Sequence, residues 1–291
     1  MIKYLKLIIK HMRLLISIFL FRKPHRLNNE ELVYYTRINI HAVEKAQINE
    51  QYLALILQLF EIIPFYRLCV ERNLFSQNEL NWAKRILFSK DEEKEEPLEY
   101  ERSSEFDAVI ANRRSVRKYI DKPVEREKII RIIKNAIWAP SACNRQPWRF
   151  IIFSDRDGME MFANFIQKFI LNVPTGILII QSKEAYNEID IHYTPYLDAG
   201  IVSQNIMLSA QNEGLGSCFV NTGDYELSKP QVEKIKHHFD IPDDWIITGL
   251  ITLGYPKYTP HPPGRKVVED VMMFGRFDEK NKFNGKKPKP I

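Results

Sequence analysis

A run of six charged residues, Asp91 to Glu96 (DEEKEE), closed by Pro97, divides this chain. Charges this dense stay in water, and proline interrupts both helix and ladder, so residues 91–103 read as a solvated linker. The two sides differ in kind. Residues 1–90 contain no glycine and read as all-helical. Leu53, Leu55, Ile56, Leu57, Leu59, Phe60, Ile62 and Ile63 predict a dense apolar helix that stops near Pro64. Glu79, Leu80, Trp82, Ala83, Ile86 and Leu87 recur at helical spacing.

From Ser103 helices and strands alternate. Ser103 or Ser104 caps a short helix through Asn112, and Val124 to Trp138 continues as an amphipathic one. Phe150–Phe153, Ile177–Ile180, Ser217–Val220 and Trp245–Leu253 read as strands; Tyr196 to Glu213 reads as a long helix ended by Gly214. This order predicts an α+β fold, an α/β sandwich with helices over a central mixed sheet, preceded by the helical extension. The units are then 1–90, the linker 91–103, a domain over 104–276 and a lysine-rich tail over 277–291 that reads as mobile.

At 291 residues and 45% hydrophobic, the chain can bury a real core. A net charge of +5 is compatible with anionic small molecules or a membrane surface and gives no argument for nucleic acid. Cys69, Cys143 and Cys218 are odd in number and far apart, which fits reduced thiols in a cytoplasm and neither a disulfide framework nor a zinc site. His41 and Glu44 lie one helical turn apart and, without further ligands, read as a polar pair and not a metal site. Tyr4 to Phe21 is apolar but carries Lys6, Lys10 and Arg13. It is too short in uninterrupted apolar length to span a bilayer and has no cleavage site after it. Two readings stay open: a peripheral membrane contact, or a helix packed on protein.

Three segments carry chemistry. Arg113-Arg114-Ser115-Val116-Arg117 gathers three guanidiniums and a hydroxyl, an anion-binding set or a solvated basic turn. Pro140-Ser141-Ala142-Cys143-Asn144-Arg145-Gln146-Pro147-Trp148 is a loop rich in donors and acceptors. Asn144 or Gln146 could read a ring edge, and Cys143, with no histidine near it in sequence, reads as a small packing residue. Gly214-Leu215-Gly216-Ser217-Cys218-Phe219-Val220-Asn221 allows a tight helix-to-strand turn but is no dinucleotide fingerprint, since it lacks the third glycine and runs from helix to strand.

Taken together, in this order, these segments resemble the nitroreductase family: its arginine-serine-arginine start, its Pro-Ser-x-x-Asn-x-Gln-Pro-Trp loop and its helix-turn-strand. Asp198-Ala199-Gly200-Ile201, Ser203-Gln204-Asn205, Leu253-Gly254-Tyr255-Pro256 and Pro262, Pro263, Arg265 and Lys266 extend the likeness over about 104–274. The resemblance implies an FMN-dependent oxidoreductase, a homodimer that uses NAD(P)H to reduce a small nitro- or quinone-type acceptor. Chemistry is then at the flavin N5, with no metal and no catalytic side chain. It implies that Arg113, Ser115 and Arg117 contact phosphate, ribityl chain and pyrimidine edge, with Arg114 and Val116 in the same stretch. Pro140, Ser141 and Asn144 fall on the ring, often from the partner subunit; Phe219, Val220 and Asn221 pass N5 and O4; Arg265 meets the phosphate. One departure is Asn221-Thr222 where some members carry Glu-Gly. A substrate-specific dehydrogenase or reductase in a biosynthetic pathway, and a non-catalytic flavin-binding module, are the alternative readings.

Overall fold

The computed structural model describes residues 27–48, 52–88, 103–266, Val268, Val271 and Met272. The charged run, the Tyr4–Phe21 segment and the lysine-rich tail lie outside the described residues.

Helices α1 (Asn29–Ile48), α2 (Tyr52–Glu71) and α3 (Gln77–Phe88) form the extension. Their shared core includes Leu32, Ile40, Ile62, Phe65, Cys69, Ala83 and Ile86. The α2 helix does not stop near Pro64 but runs through it. Proline inside a helix costs about 3 kcal/mol. Beyond it, Phe65, Tyr66, Leu68 and Cys69 are all buried, and each such side chain returns roughly 1.5–3 kcal/mol, so burial outweighs the lost bond. The ring of Pro64 itself faces solvent.

The second part holds α4 (Ser104–Asn112), α5 (Arg126–Ala136), β1 (Trp148–Phe153), α6 (Arg156–Phe165), β2 (Thr175–Ser182), α7 (Thr194–Asn212), β3 (Gly216–Val220), α8 (Lys229–His238) and β4 (Trp245–Gly254). Ser103 is the cap of α4, its Oγ accepting from the Phe106 amide at 3.2 Å. The described strands form one sheet in the order β1-β2-β4-β3, every pair antiparallel. The parallel component expected of a mixed sheet is confined to one isolated bridge, Ser115 to Ser217.

Strands β2 and β4 are buried along their whole length because both sheet faces are covered. Side chains alternate across a strand, so Leu178 and Ile180 join the core formed with Phe162 and Ile235 of α6 and α8. Ile177 and Ile179 join the opposite core with Ile132 of α5 and Val202 and Ile206 of α7. The architecture is therefore α+β, helices on both sides of an antiparallel sheet. Among the described residues no helix is long and apolar enough to cross a membrane.

Polar contacts fasten the extension to this sandwich. Asn28 Nδ2 donates to Glu184 at 2.7 Å, Ser182 Oγ to Glu30 at 3.1 Å, and Arg37 Nη1 to the Arg145 carbonyl at 3.0 Å. Tyr34 packs with Ala185 and Tyr186.

Candidate active site

The arginine segment lies along the start of β3. The Val116 amide donates to the Ser217 carbonyl at 2.9 Å, and Tyr119 closes the segment from below, its hydroxyl donating to the Val116 carbonyl at 2.7 Å. The two glycines of the turn now have separate reasons. Gly214 adopts φ +73°, a left-handed conformation that ends α7. Gly216 leaves room for Val116: a Cβ there would come within 2.7 Å of it. The glycines thus allow the arginine segment to press against the strand.

That placement builds a cleft of about 290 Å³ lined by Arg113, Arg114, Ser115, Arg117, His261 and Arg265. Four guanidiniums converge there, one from a segment some 150 positions downstream. None of the four pairs with a carboxylate among the described residues. The Arg114 Nη1 caps the end of α4 by donating to the Ala111 carbonyl at 2.6 Å, while its buried Nε has no hydrogen-bond partner. An uncompensated cationic cleft with an orphaned buried donor suits a phosphate group. Arg117 also lies over the Phe169 ring, 5.9 Å from its centre. Burial pushes the Cys218 thiol up, against the pull of Arg117, Ser115 and Arg113; this cysteine is core, not nucleophile.

The Pro140–Gln146 loop is held in an unusual backbone. Cys143, Asn144 and Gln146 have φ of 52°, 53° and 50°, all left-handed. Ser141 Oγ accepts from the Gln146 amide at 2.9 Å, and Asn144 Oδ1 accepts from Gln146 Nε2 at 3.1 Å. Asp198 of α7 anchors the loop: its carboxylate accepts from the Ala142 amide and the Tyr186 hydroxyl, each at 3.0 Å. Burial raises the Asp198 carboxyl above the ordinary range although the Ala142 amide, Tyr186 and Arg145 all lower it. Arg145 is buried and donates to Asp190 at 2.9 Å. Cys143, expected as a packing residue, is half-buried at this turn.

Phe219 and Val220 pair with Ile251 and Leu250 on β4, and Asn221 follows at the exposed strand end. The Asn221 side chain is engaged: Nδ2 donates to Glu226 at 3.0 Å and Oδ1 accepts from the Tyr225 hydroxyl. Tyr225 stands edge-on to Tyr196, centres 4.7 Å apart, beside a shallow aromatic hollow with Tyr193 and Leu197. The segment 164–187 contains β2, which is buried along its whole length in the centre of the sheet.

These residues do not all meet within one chain. Ser217 stands level with Leu253 on β4, whereas Trp148, which ends the Pro140 loop, pairs with Gln181 and through it stands level with Ile246. Seven residues of strand separate the two levels, about 23 Å at ~3.3 Å each. Helix α7 gives the same answer: from Asp198 to Gly214 is about 24 Å at ~1.5 Å per residue. So the arginine cleft, at the start of β3, and the Pro140 loop stand toward opposite ends of the sheet, and β3 runs from the first level toward the second, Val220 pairing with Leu250. Along the outer side of α7, Leu197 and Ile201 are exposed, as is Trp138 before the loop (85%). Asp198, Arg145 and Tyr186 had no assigned role from sequence; a buried carboxylate on a helix facing a loop shows only once the packing is known.

The model of the nitroreductase family matches residues 110–172 and 161–255. The chain is 35% identical to a putative NADH dehydrogenase/NAD(P)H nitroreductase of Methanothermobacter thermautotrophicus over 154 residues, 52% of this chain and 78% of that protein. The structure of a putative NADH dehydrogenase/NAD(P)H nitroreductase from Parabacteroides distasonis superimposes with a TM-score of 0.53 at 28% identity, over 60% of this chain and all of that one. An FMN-dependent nitroreductase from Clostridium difficile superimposes with a TM-score of 0.51 at 27% identity, over 58% of this chain and 98% of that one. The matched family region begins after the helical extension.

Proposed function

The chain belongs to the nitroreductase family of oxidoreductases, and from that premise we propose that it is an FMN-dependent enzyme that uses NAD(P)H to reduce a small organic acceptor of nitro or quinone type. The observation that carries this is the cleft in which Arg265 joins Arg113, Arg114, Ser115 and Arg117. Four unpaired guanidiniums around a hydroxyl fit the phosphate and ribityl oxygens of a mononucleotide, and no GxGxxG loop is present for a dinucleotide.

FMN, when bound, supplies the centre that accepts hydride from NAD(P)H and passes it to the acceptor, in a ping-pong exchange. The protein's part is binding and orientation. Arg113, Arg114 and Arg265 neutralise the phosphate; Ser115 and Arg117 continue toward the ring, and Arg117 supplies positive charge at the pyrimidine edge. Because the Asn221 side chain is engaged by Glu226 and Tyr225, the backbone of Phe219, Val220 and Asn221 carries the contact past N5 and O4.

The loop of Pro140, Ser141 and Asn144 ends at Trp148, which stands about 23 Å along the sheet from Ser217 beside the arginine cleft of the same chain, farther than one mononucleotide extends. We therefore assign them to the flavin of a second subunit, with the exposed Leu197 and Ile201 of α7 near the two-fold axis of a homodimer. The free cysteines fit a reducing compartment, and we place the enzyme in the cytoplasm; Tyr4–Phe21 is retained as a candidate peripheral membrane contact. The aromatic hollow beside Tyr225 favours a second reading on the same flavin, a reductase selective for one aromatic substrate.

An absorbance spectrum and an anaerobic titration test the proposal. The purified protein should be yellow, release FMN on heating, and bleach with NADH or NADPH. Released FAD, or no binding on reconstitution with FMN, refutes it. Bleaching followed by slow turnover with both nitroaromatics and quinones selects the second reading.

A further inference from the structure

The helical extension lies outside the matched family region, yet one of its side chains reaches the loop that carries Ser141 and Asn144. Arg37, on α1, donates from Nη1 to the Arg145 carbonyl at 3.0 Å. Its other edge grips Glu79 of α3, Nε at 2.9 Å and Nη2 to the same oxygen. Glu79 is itself fixed, its second oxygen accepting from the Ser76 amide at 2.9 Å and the Ser76 hydroxyl at 2.7 Å. Only 13% of the Arg37 side chain is exposed. The guanidinium therefore acts as a rigid fork, one prong pair in the extension and the third prong on the loop.

The point it touches is the sensitive one. Arg145 sits between two left-handed residues, Asn144 and Gln146. A buried peptide carbonyl in such a turn needs a donor, and no ladder or helix provides one there. The side chain of Arg145 is tied separately, to Asp190. Asp198 holds the loop at Ala142, two residues before Asn144; Arg37 holds it at Arg145, one residue after. Asn144 is thus fixed on both sides, once by the family domain and once by the extension.

We propose that Arg37 is a positioning residue: by clamping the Arg145 carbonyl it sets the orientation of Ser141 and Asn144, so that the extension completes the flavin site. This rests on the proposed role of that loop at the flavin ring. It gives the extension a function in cofactor binding, beside that of Asp198 in the matched region.

The test compares FMN affinity, read from the fluorescence of flavin released on serial dilution of the holoprotein, and the visible circular dichroism of bound flavin. Four variants are compared with the wild type: Arg37→Ala, Arg37→Lys, Asn144→Ala and Arg72→Ala. Arg72 bonds Asn29 within the extension at 3.0 Å and controls for mere loss of helix stability. We expect Arg37→Ala to weaken FMN by about tenfold or more and to change the flavin dichroism, as Asn144→Ala does. Arg72→Ala should stay within about twofold of the wild type. Arg37→Lys keeps a charge opposite Glu79 but not the planar fork, and should fall between. Wild-type affinity in Arg37→Ala, with a loss in Asn144→Ala, overturns the clamp alone. Wild-type behaviour of Asn144→Ala overturns the assignment of the loop to the flavin, and the clamp with it. An equal loss in Arg72→Ala also overturns the clamp, as general destabilisation. Should Arg37→Ala not fold, Arg37→Lys decides: intermediate affinity supports the clamp and wild-type affinity overturns it.

Discussion

Replacing Arg265 with alanine tests the anion cleft at its most distant contributor. Arg265 comes from the closing segment, and its one described hydrogen bond is a 3.2 Å contact from Nη1 to its neighbour Gly264. Most of its donors therefore remain for a ligand. A charge-assisted hydrogen bond contributes about 1.5–3 kcal/mol, a factor of roughly ten to 150 in affinity. The residue is exposed and the cleft is open to solvent, so screening selects the lower end, about tenfold. The remaining three arginines hold the cleft together, so the variant should fold and still bind flavin weakly. Apoprotein titrated with FMN, followed by quenching of flavin fluorescence, gives the dissociation constant. The same titration with riboflavin isolates the phosphate, because riboflavin lacks it. The loss should be about tenfold for FMN, shrink in high salt, and vanish for riboflavin. Equal losses for the two ligands, or none for FMN in a folded variant, would show that Arg265 does not meet a phosphate.

Gly216→Ala places a Cβ within 2.7 Å of Val116 and must push the arginine segment off β3; flavin affinity should fall by several-fold with little change in the melting temperature of the extension, and unchanged affinity would refute the close-packing account. Leu197→Glu puts a charge on the exposed side of α7, and light scattering should then report a monomer that has lost flavin, whereas a monomer that keeps full flavin binding would refute the assignment of the Asn144 loop to the partner. For Glu79, burial raises the carboxyl, but the charge and bonds of Arg37 and the Ser76 contacts more than reverse this, so its folded value lies below the ordinary 4.5. A lowered folded value means the stabilisation is present above 4.5 and is lost as pH falls through the folded value. The extension should lose stability over that acid window in urea titrations, and Glu79→Gln should be weaker at neutral pH and flat across it; a parallel acid loss in the variant assigns the effect elsewhere.

The residues that were legible in the sequence are those whose reason is local. Phe150–Phe153 and Ile177–Ile180 are marked as strands by short uninterrupted apolar runs, which suit a strand covered on both faces. Ser103 and Gly214 mark helix ends because caps are made by neighbours in sequence. Pro64 misled for the same reason: its local penalty is real, and only the burial of Phe65, Tyr66, Leu68 and Cys69, a property of α1 and α3 packing on α2, outweighs it. The motif order gave the arginine segment and Arg265 as candidates, but their convergence in one cleft depends on β3 and β4 being neighbours.

The division of the site into two halves is the clearest case of a property that no motif contains. Nothing in Pro140–Trp148 says which end of the sheet it will occupy. That is decided by β2, which pairs with β1 on one edge and β4 on the other and so fixes Trp148 level with Ile246, while β3 fixes Ser217 level with Leu253. Once those registers are set, the offset of about 23 Å between Trp148 and Ser217 along the sheet follows from strand rise alone. In the proposed homodimer, the sequence motifs then describe one site composed twice, each half made in a different chain. The same register brings the Arg145 carbonyl beside α1, where Arg37 can reach it. Under the proposed clamp, an extension that shares no motif with the family domain acquires a point of control over it, through a hydrogen bond between residues 108 positions apart.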